Sequence, residues 1–152
     1  DSQQLDQAAA GGESRIFRTA YLEGAPYVPL LLRARELWRE LEAESRRELL
    51  TLNGGLMIGE ERTEAIRNVL ACARNFDLPH EVLDAAQLRR RFPGYRLPGG
   101  YLALFQPEGG FLLPERCVVA HVEAAQALGA EVHAREQVLE WRPRGDGFEV
   151  QS

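Results

Sequence analysis

Two arginines separated by two residues form the segment of this sequence with the clearest capacity for chemistry. Arg15 and Arg18 flank Ile16 and Phe17, and Tyr21 follows after two further residues. The guanidinium group is a permanently charged, planar fork that binds a carboxylate or a phosphate through two hydrogen bonds. In a helical turn, side chains three residues apart project to one side, so the pair could face a single anion. The alternative is two surface arginines in a loop, and the spacing alone favours this alternative.

The other chemically capable side chains have simpler interpretations. The run of three arginines at 89–91 falls at the predicted end of a helix, where positive charge complements exposed carbonyl groups, and an anion site there is the weaker alternative. The three histidines lack the spacing of a metal site, and no serine or cysteine has the context of a nucleophile. We therefore expect no metal site and no catalytic residue in this chain.

Composition and charge restrict the class of protein. The chain has 152 residues, of which 45% are hydrophobic and 27% are charged, as is typical of a soluble globular protein. A net charge of -5 argues against a nucleic-acid partner, whose phosphates need a basic face. No apolar run is long enough to span a membrane, and no targeting peptide is visible. Cys72 and Cys117 lie on apolar helix faces and should be buried and free, which suits a reducing compartment and predicts a cytoplasmic protein.

The elements that position these residues follow from periodicity and turn signals. The first helix should place Leu30, Ala34, Leu37, Trp38 and Leu41 on one inward face. Its Glu42 should pair with Arg46 on the solvent side. The pattern as a whole predicts a helix at 28–48, extended structure at 49–59 broken at 53–55, a helix at 63–74, a short helix after Asp84, strands at 101–105 and 111–113, a helix from Pro114 to Gly129, a strand directly after Gly129, and a hairpin around 144–147.

This order of elements indicates pieces of two domains. Antiparallel strands with short helices occupy the middle of the chain, and the helix–glycine–strand junction at Gly129 is typical of a doubly wound α/β unit. The chain begins without an initiator Met and stops at 150–152 within a predicted strand, so we expect an internal piece of a longer protein. No G-x-G-x-x-G fingerprint of a dinucleotide site is present in it. The fold class is therefore predicted as α+β, with an α/β portion.

The sequence resembles the family of monomeric sarcosine oxidase and N-methyltryptophan oxidase, which is FAD-dependent and related to D-amino-acid oxidase. The resemblance runs from Glu13 to Val150 in consistent order. The Arg15 segment is the most specific part, and the stretches that carry the resemblance are 13–24, 27–30, 37–38, 54–59, 91–94, 105–112 and 129–132.

The resemblance implies a fold and roles for individual residues. It implies a two-domain flavoprotein in which 1–48 and 117–152 belong to a Rossmann-like FAD domain and 49–116 belong to an antiparallel-sheet substrate domain. It also implies that Arg15 lies beside the flavin ring, that Ile16 contacts flavin through its backbone, that the main chain of Val138 touches the adenine of FAD, and that Arg18 binds the substrate carboxylate. The reaction implied is oxidation of N-methyl or cyclic secondary amino acids at the C–N bond, giving an imine and hydrogen peroxide.

The sequence departs from the family pattern in ways that limit this expectation. The glycine fingerprint is missing, and so is the family's C-terminal half, which carries a flavin-attaching cysteine, an oxygen-activating lysine and a second carboxylate ligand. We therefore expect this chain alone to be inactive and to bind FAD weakly or not at all. The apolar surface that truncation exposes should pair two copies through the helix at 28–48. Two alternatives stay open: a stand-alone binding or assembly module, and a flavin dehydrogenase of the same superfamily as the parent protein.

Overall fold

The structure is a computed structural model that describes residues 12–152, and it shows an α+β fold. Residues 1–11 of the predicted segment 1–48 lie outside the described residues. The helices are α1 (Val28–Ser45), α2 (Glu64–Asn75), α3 (Ala85–Arg91) and α4 (Pro114–Ala127), with a 3-10 turn at Ala25–Tyr27. The strands are β1 (Arg15–Phe17), β2 (Leu50–Thr51), β3 (Gly55–Glu60), β4 (Glu81–Leu83), β5 (Tyr101–Gln106), β6 (Gly110–Leu112), β7 (Glu140–Arg144) and β8 (Gly147–Gln151).

The chain divides into two compact units, the first ending at Ala120 and the second running from His121 to Ser152. Among the described residues every pair of strands is antiparallel. None of the helices described in residues 12–152 is long and apolar enough to cross a membrane. The assignment of 1–48, 49–116 and 117–152 to two domains of a larger protein stays a prediction.

A three-stranded sheet of order β1–β6–β2 holds the segment that contains the two arginines. β6 lies in the middle, so β1 and β2 are joined only through it. Gly110 opens β6 at a point where the chains approach closely. A Cβ atom built there would lie 1.9 Å from the carbonyl oxygen of Thr51, so only glycine fits.

A second three-stranded sheet, of order β3–β5–β4, separates two of the buried clusters in the first unit. Side chains alternate along β5, so Leu104 faces one side and Phe105 faces the other. Leu104 packs in a cluster formed with α1, α2 and the chain after β1, and Phe105 packs with Leu83 and Leu88 in a cluster under α3. The short helix predicted after Asp84 is present, and Asp84 caps it, because its side chain accepts the amide hydrogens of residues 86 and 87 and Gln87 Oε1 accepts the amide hydrogen of Asp84.

The inward face predicted for α1 is only partly correct. Trp38 and Leu41 pack near Leu49, as expected, but Leu30 is 67% exposed and Leu37 is also exposed. The apolar stripe read from the sequence is wider than the face that makes contact. The helix ends at Ser45 rather than at residue 48 because the next residue adopts a left-handed conformation with φ of 54°.

The second unit contains the end of α4, an irregular segment and the β7–β8 hairpin. Gly129 ends the helix as predicted, with φ of +92°, and the amide of Ala130 donates to the carbonyl of Ala125 at 3.0 Å. The strand predicted directly after Gly129 is wrong, since residues 130–139 form no strand. A strand requires a hydrogen-bonded neighbour, and no strand among the described residues pairs with this segment.

Candidate functional site

β1 presents the first two predicted contact residues on an exposed strand. Ile16 is 77% exposed, and Arg15, also exposed, donates through Nη1 to the carbonyl of Ser14 at 2.9 Å. β1 lies at the edge of its sheet, and its only described strand neighbour is β6. Its main chain and the apolar Ile16 side chain are therefore open to a planar ring, which fits the flavin contact that the resemblance implies.

The helical-turn arrangement, in which both arginines would face one side, is not the one observed. Residues 15–17 form a strand rather than a helical turn, and in extended chain side chains three residues apart leave on opposite sides. Arg15 is exposed, whereas Arg18 is half-buried between Phe17 and Thr19, both of which are buried. The two arginines therefore have different environments and cannot be treated as one pair.

Arg18 has surroundings that suit an anion site. Its guanidinium carbon lies 5.2 Å from the centre of the Tyr21 ring, which in turn packs against Tyr27 with ring centres 5.4 Å apart. Its Nε atom is buried and finds no hydrogen-bond acceptor among residues 12–152. A buried donor on a charged group without an acceptor is costly, and an incoming carboxylate would supply one.

Helix α2 holds the chain that follows Arg18, which the sequence did not predict. Asn68 Nδ2 donates to the carbonyl of Leu22 at 3.2 Å, and Cys72 Sγ donates to the carbonyl of Tyr21 at 3.7 Å. The first contact joins residues that are 46 positions apart in the sequence, and the second joins residues that are 51 positions apart, so no local pattern could reveal them. Cys72 is buried and free, as predicted.

Glu42 fixes the far strand of the same sheet. Its carboxylate accepts the amide hydrogens of Leu49 at 2.7 Å and Leu50 at 2.9 Å and pairs with Arg39, so the predicted pair with Arg46 is wrong. Burial by itself raises the pKa of Glu42, but the two amide hydrogen bonds and Arg39 outweigh it and leave the pKa below its usual value.

Cys117 lies in the same part of the first unit and is buried and free, as predicted. Burial raises the pKa of the thiol, with a smaller contribution from the negative charge of Glu42. The thiol therefore stays protonated at neutral pH, which agrees with a packing role rather than a nucleophilic one.

The remaining predicted residues lie elsewhere. Val138 belongs to the second unit, where it is 59% exposed in the irregular segment before β7. The three arginines at 89–91 end α3 as predicted, and Arg91 pairs with Glu81 at 2.7 Å and lies 4.1 Å from the centre of the Phe105 ring. These contacts give Arg91 a structural role.

Comparison with known proteins decides the family. The sequence model of the family described as "DAO: FAD dependent oxidoreductase" matches residues 1–152. The chain belongs to this family. It is 41% identical over 145 residues to monomeric sarcosine oxidase of Streptomyces avermitilis, covering 95% of this chain and 38% of that protein. It is 37% identical over 121 residues to N-methyl-L-tryptophan oxidase of Yersinia pestis, covering 80% of this chain and 33% of that protein.

One solved structure is similar to this chain over most of the chain's length. It is NikD, an unusual amino acid oxidase essential for nikkomycin biosynthesis, with a TM-score of 0.79 and 32% identity over 92% of this chain and 36% of that chain. The chain thus spans about a third of the length of the relatives that it matches, from 33% to 38%. The resemblance stated from the sequence is confirmed, and so is the α+β fold.

Proposed function

We propose that the protein containing this chain is an FAD-dependent oxidase of N-methyl or cyclic secondary amino acids, which it converts to an imine while O2 accepts the two electrons and two protons and is released as hydrogen peroxide. The observation that carries the proposal is the environment of Arg18. Its guanidinium is supported by the Tyr21 ring, and its buried Nε lacks an acceptor in the described residues. The names of the relatives, sarcosine oxidase and N-methyl-L-tryptophan oxidase, supply the substrate class.

Arg18 binds and orients the substrate in this proposal. A carboxylate is common to all amino acids, and a planar guanidinium can hold both of its oxygens at once. Two-point binding fixes the rotation of the substrate, so the C–H bond beside the nitrogen faces the cofactor. The half-burial of Arg18 strengthens this attraction, because less water screens the two charges.

The cofactor contacts are part of the same proposal. When bound, FAD supplies the acceptor for a hydride equivalent from the carbon beside the nitrogen. Arg15 and the main chain of Ile16 would lie beside the flavin ring, and the main chain of Val138 would touch the adenine. The exposure of Ile16 and Val138 supports this, because removing apolar side chains from water when a ligand covers them contributes favourably to the free energy of binding. The segments 1–48 and 117–152 would form the FAD side, and 49–116 the substrate side.

The location and assembly of the protein are further parts of the proposal. Two buried, free cysteines support a reducing compartment, and we place the protein in the cytoplasm. A net charge of -5 supports a small amino-acid ligand over nucleic acid. The exposed Leu30 and Leu37 on α1 support pairing of two copies of the chain.

The test of the proposal is Arg18→Ala in the full-length protein. Peroxide release is followed with sarcosine, N-methyl-L-tryptophan and L-proline, and we expect kcat/KM for the best substrate to fall roughly 10- to 100-fold, as for loss of a hydrogen bond to a charged group. Arg62→Ala is the matched control, because Arg62 is exposed in the turn after β3. Unchanged turnover and affinity in Arg18→Ala would contradict the role. Substrate oxidation without peroxide would indicate a dehydrogenase instead.

A further inference from the structure

Two polar contacts from α2 end on consecutive carbonyl groups of the chain after Arg18. Asn68 and Cys72 are four residues apart, so they lie one above the other on a single face of the helix. Asn68 reaches the carbonyl of Leu22 and Cys72 reaches that of Tyr21. The face of α2 that presents these two side chains therefore runs along the backbone of the residues that support Arg18.

The contact at residue 21 fixes an aromatic ring as well as a backbone position. The Tyr21 carbonyl accepts from Cys72 Sγ and also from the amide of Gly24 at 3.4 Å, which closes a tight turn. Gly24 has φ of +106°, a conformation that L side chains rarely adopt. With its backbone held in this way, Tyr21 keeps its ring beneath the guanidinium of Arg18 and against Tyr27.

Packing alone does not account for Asn68. The same helix already buries Val69 and Ala73 in the cluster that includes Leu104, and these side chains attach α2 to the sheet. Asparagine is a poor helix former, and alanine at this interior position would favour the helix. The amide side chain is half-buried and donates to a main-chain carbonyl in a turn, where a lost donor leaves that carbonyl without this partner.

We propose that Asn68 and Cys72 are positioning residues for substrate binding, which hold Tyr21 beneath Arg18 and so set the direction in which the guanidinium meets the substrate carboxylate. The inference rests on the proposed role of Arg18 and goes beyond it by placing part of substrate affinity on α2. Asn68 has the larger share, because a thiol is a weak hydrogen-bond donor.

The test is a double-mutant cycle in the full-length protein with the best substrate among sarcosine, N-methyl-L-tryptophan and L-proline. Asn68→Ala should raise KM roughly fivefold, as for loss of one hydrogen bond, with a smaller change in kcat. Asn68→Asp, which keeps the shape but removes the donor, should raise it at least as much. In the Arg18→Ala background both changes should have almost no effect on kcat/KM, since the group they position is gone. The dissociation constant of acetate, measured from the visible absorbance of the flavin, gives the same comparison without turnover.

Two further variants separate positioning from general damage to the helix. Asn75→Ala is the matched control, because it is the same substitution at an exposed position on α2 and should leave KM unchanged. If Asn68→Ala fails to fold, Cys72→Ala replaces it, with an expected rise in KM of about twofold. An increase in KM that persists in the Arg18→Ala background would overturn the inference, and so would an unchanged KM in a folded Asn68→Ala. An unchanged kcat/KM in Arg18→Ala would instead overturn the proposed role of Arg18, on which the inference rests.

Discussion

Apolar side chains form buried clusters in residues 12–120, whereas those of the β7–β8 hairpin are exposed. Residues 12–120 form buried clusters on both faces of the β3–β5–β4 sheet and a further one that contains Leu49, Cys117 and Ala120. In the hairpin, Trp141 and Phe148 pack edge to face with ring centres 5.5 Å apart, yet Trp141 is 63% exposed. The paired strands share one apolar face, and their other face carries Arg142 and Glu149 in an ion pair at 2.9 Å.

This difference indicates where the chain itself determines its geometry. Arg18 is followed by buried residues, its guanidinium carbon lies 5.2 Å from the centre of the Tyr21 ring, and the chain after it is hydrogen-bonded to α2 at Leu22, so contacts within the first unit define its position. Val138 lies beside the hairpin with an exposed side chain, and the backbone contact nearest to it is the amide of Leu139 donating to Gln151 at 2.8 Å. The proposed carboxylate anchor is therefore better defined by this chain than the proposed adenine contact.

The largest expected difference in stability between the two regions comes from replacing one glycine by alanine in each. Gly110→Ala should lower the free energy of unfolding by about 3 kcal/mol or more, because the new methyl group meets the backbone of Thr51 and cannot be accommodated by a side-chain movement. Gly147→Ala in the hairpin has no atom within 4 Å of the new methyl group and should change stability by about 0.5 kcal/mol or less. Urea unfolding of the 152-residue chain measures both. Equal effects would mean that the close approach at Gly110 is absent.

A smaller effect is expected from removing a leucine side chain. Leu88 is the buried residue of α3, and Leu88→Ala should lower the free energy of unfolding by about 2–4 kcal/mol. Leu139 is 63% exposed, so Leu139→Ala should lower the free energy of unfolding by about 0.5 kcal/mol or less. The measurement is again the urea midpoint of the 152-residue chain. A loss at Leu139 that matches the loss at Leu88 would contradict the contrast between the two regions.

The smallest effect is a pH-dependent one at Glu42. Glu42→Gln should lower the free energy of unfolding by about 1–2 kcal/mol at pH 7, where the carboxylate binds two amide hydrogens and Arg39. Its pKa is lower in the folded state than in the unfolded state, so its contribution is complete above about pH 4.3 and is lost as the pH falls through the folded value. Unfolding at pH 7 and pH 3 should show the difference between wild type and variant shrinking with acid.

Glu44→Gln is the control for this prediction, because Glu44 is exposed on the same helix. It should have almost no effect at either pH. If the difference in free energy of unfolding between wild type and Glu42→Gln grew as the pH fell, it would contradict the lowered pKa of Glu42.

The parts of the fold that were predictable from sequence depend on local chemistry. Asp84 caps α3, Pro114 opens α4 and Gly129 ends it, because capping and left-handed turns involve residues only a few positions apart. The strand expected after Gly129 could not be judged locally, since a strand exists only beside a partner. The same holds for Glu42, whose hydrogen-bond partners at Leu49 and Leu50 lie beyond the end of its helix.

The candidate site shows the same limit. Spacing alone favoured two surface arginines in a loop, but the strand β1 gives Arg15 an exposed position and the chain after it places Arg18 beside the ring of Tyr21. Family resemblance pointed to Arg18 as the candidate ligand of the substrate carboxylate. The hydrogen bond from Asn68 to the carbonyl of Leu22 joins residues 46 positions apart in the sequence. Such a contact becomes visible only when the chain has folded.

A crystal structure of the full-length flavoprotein with bound acetate tests the central claim most directly. We expect the guanidinium of Arg18 to donate two hydrogen bonds to the acetate oxygens at about 2.7–2.9 Å, with the Tyr21 ring still beneath it. Acetate bound away from Arg18, or Arg18 turned off the Tyr21 ring and paired with a carboxylate of the protein, would contradict it.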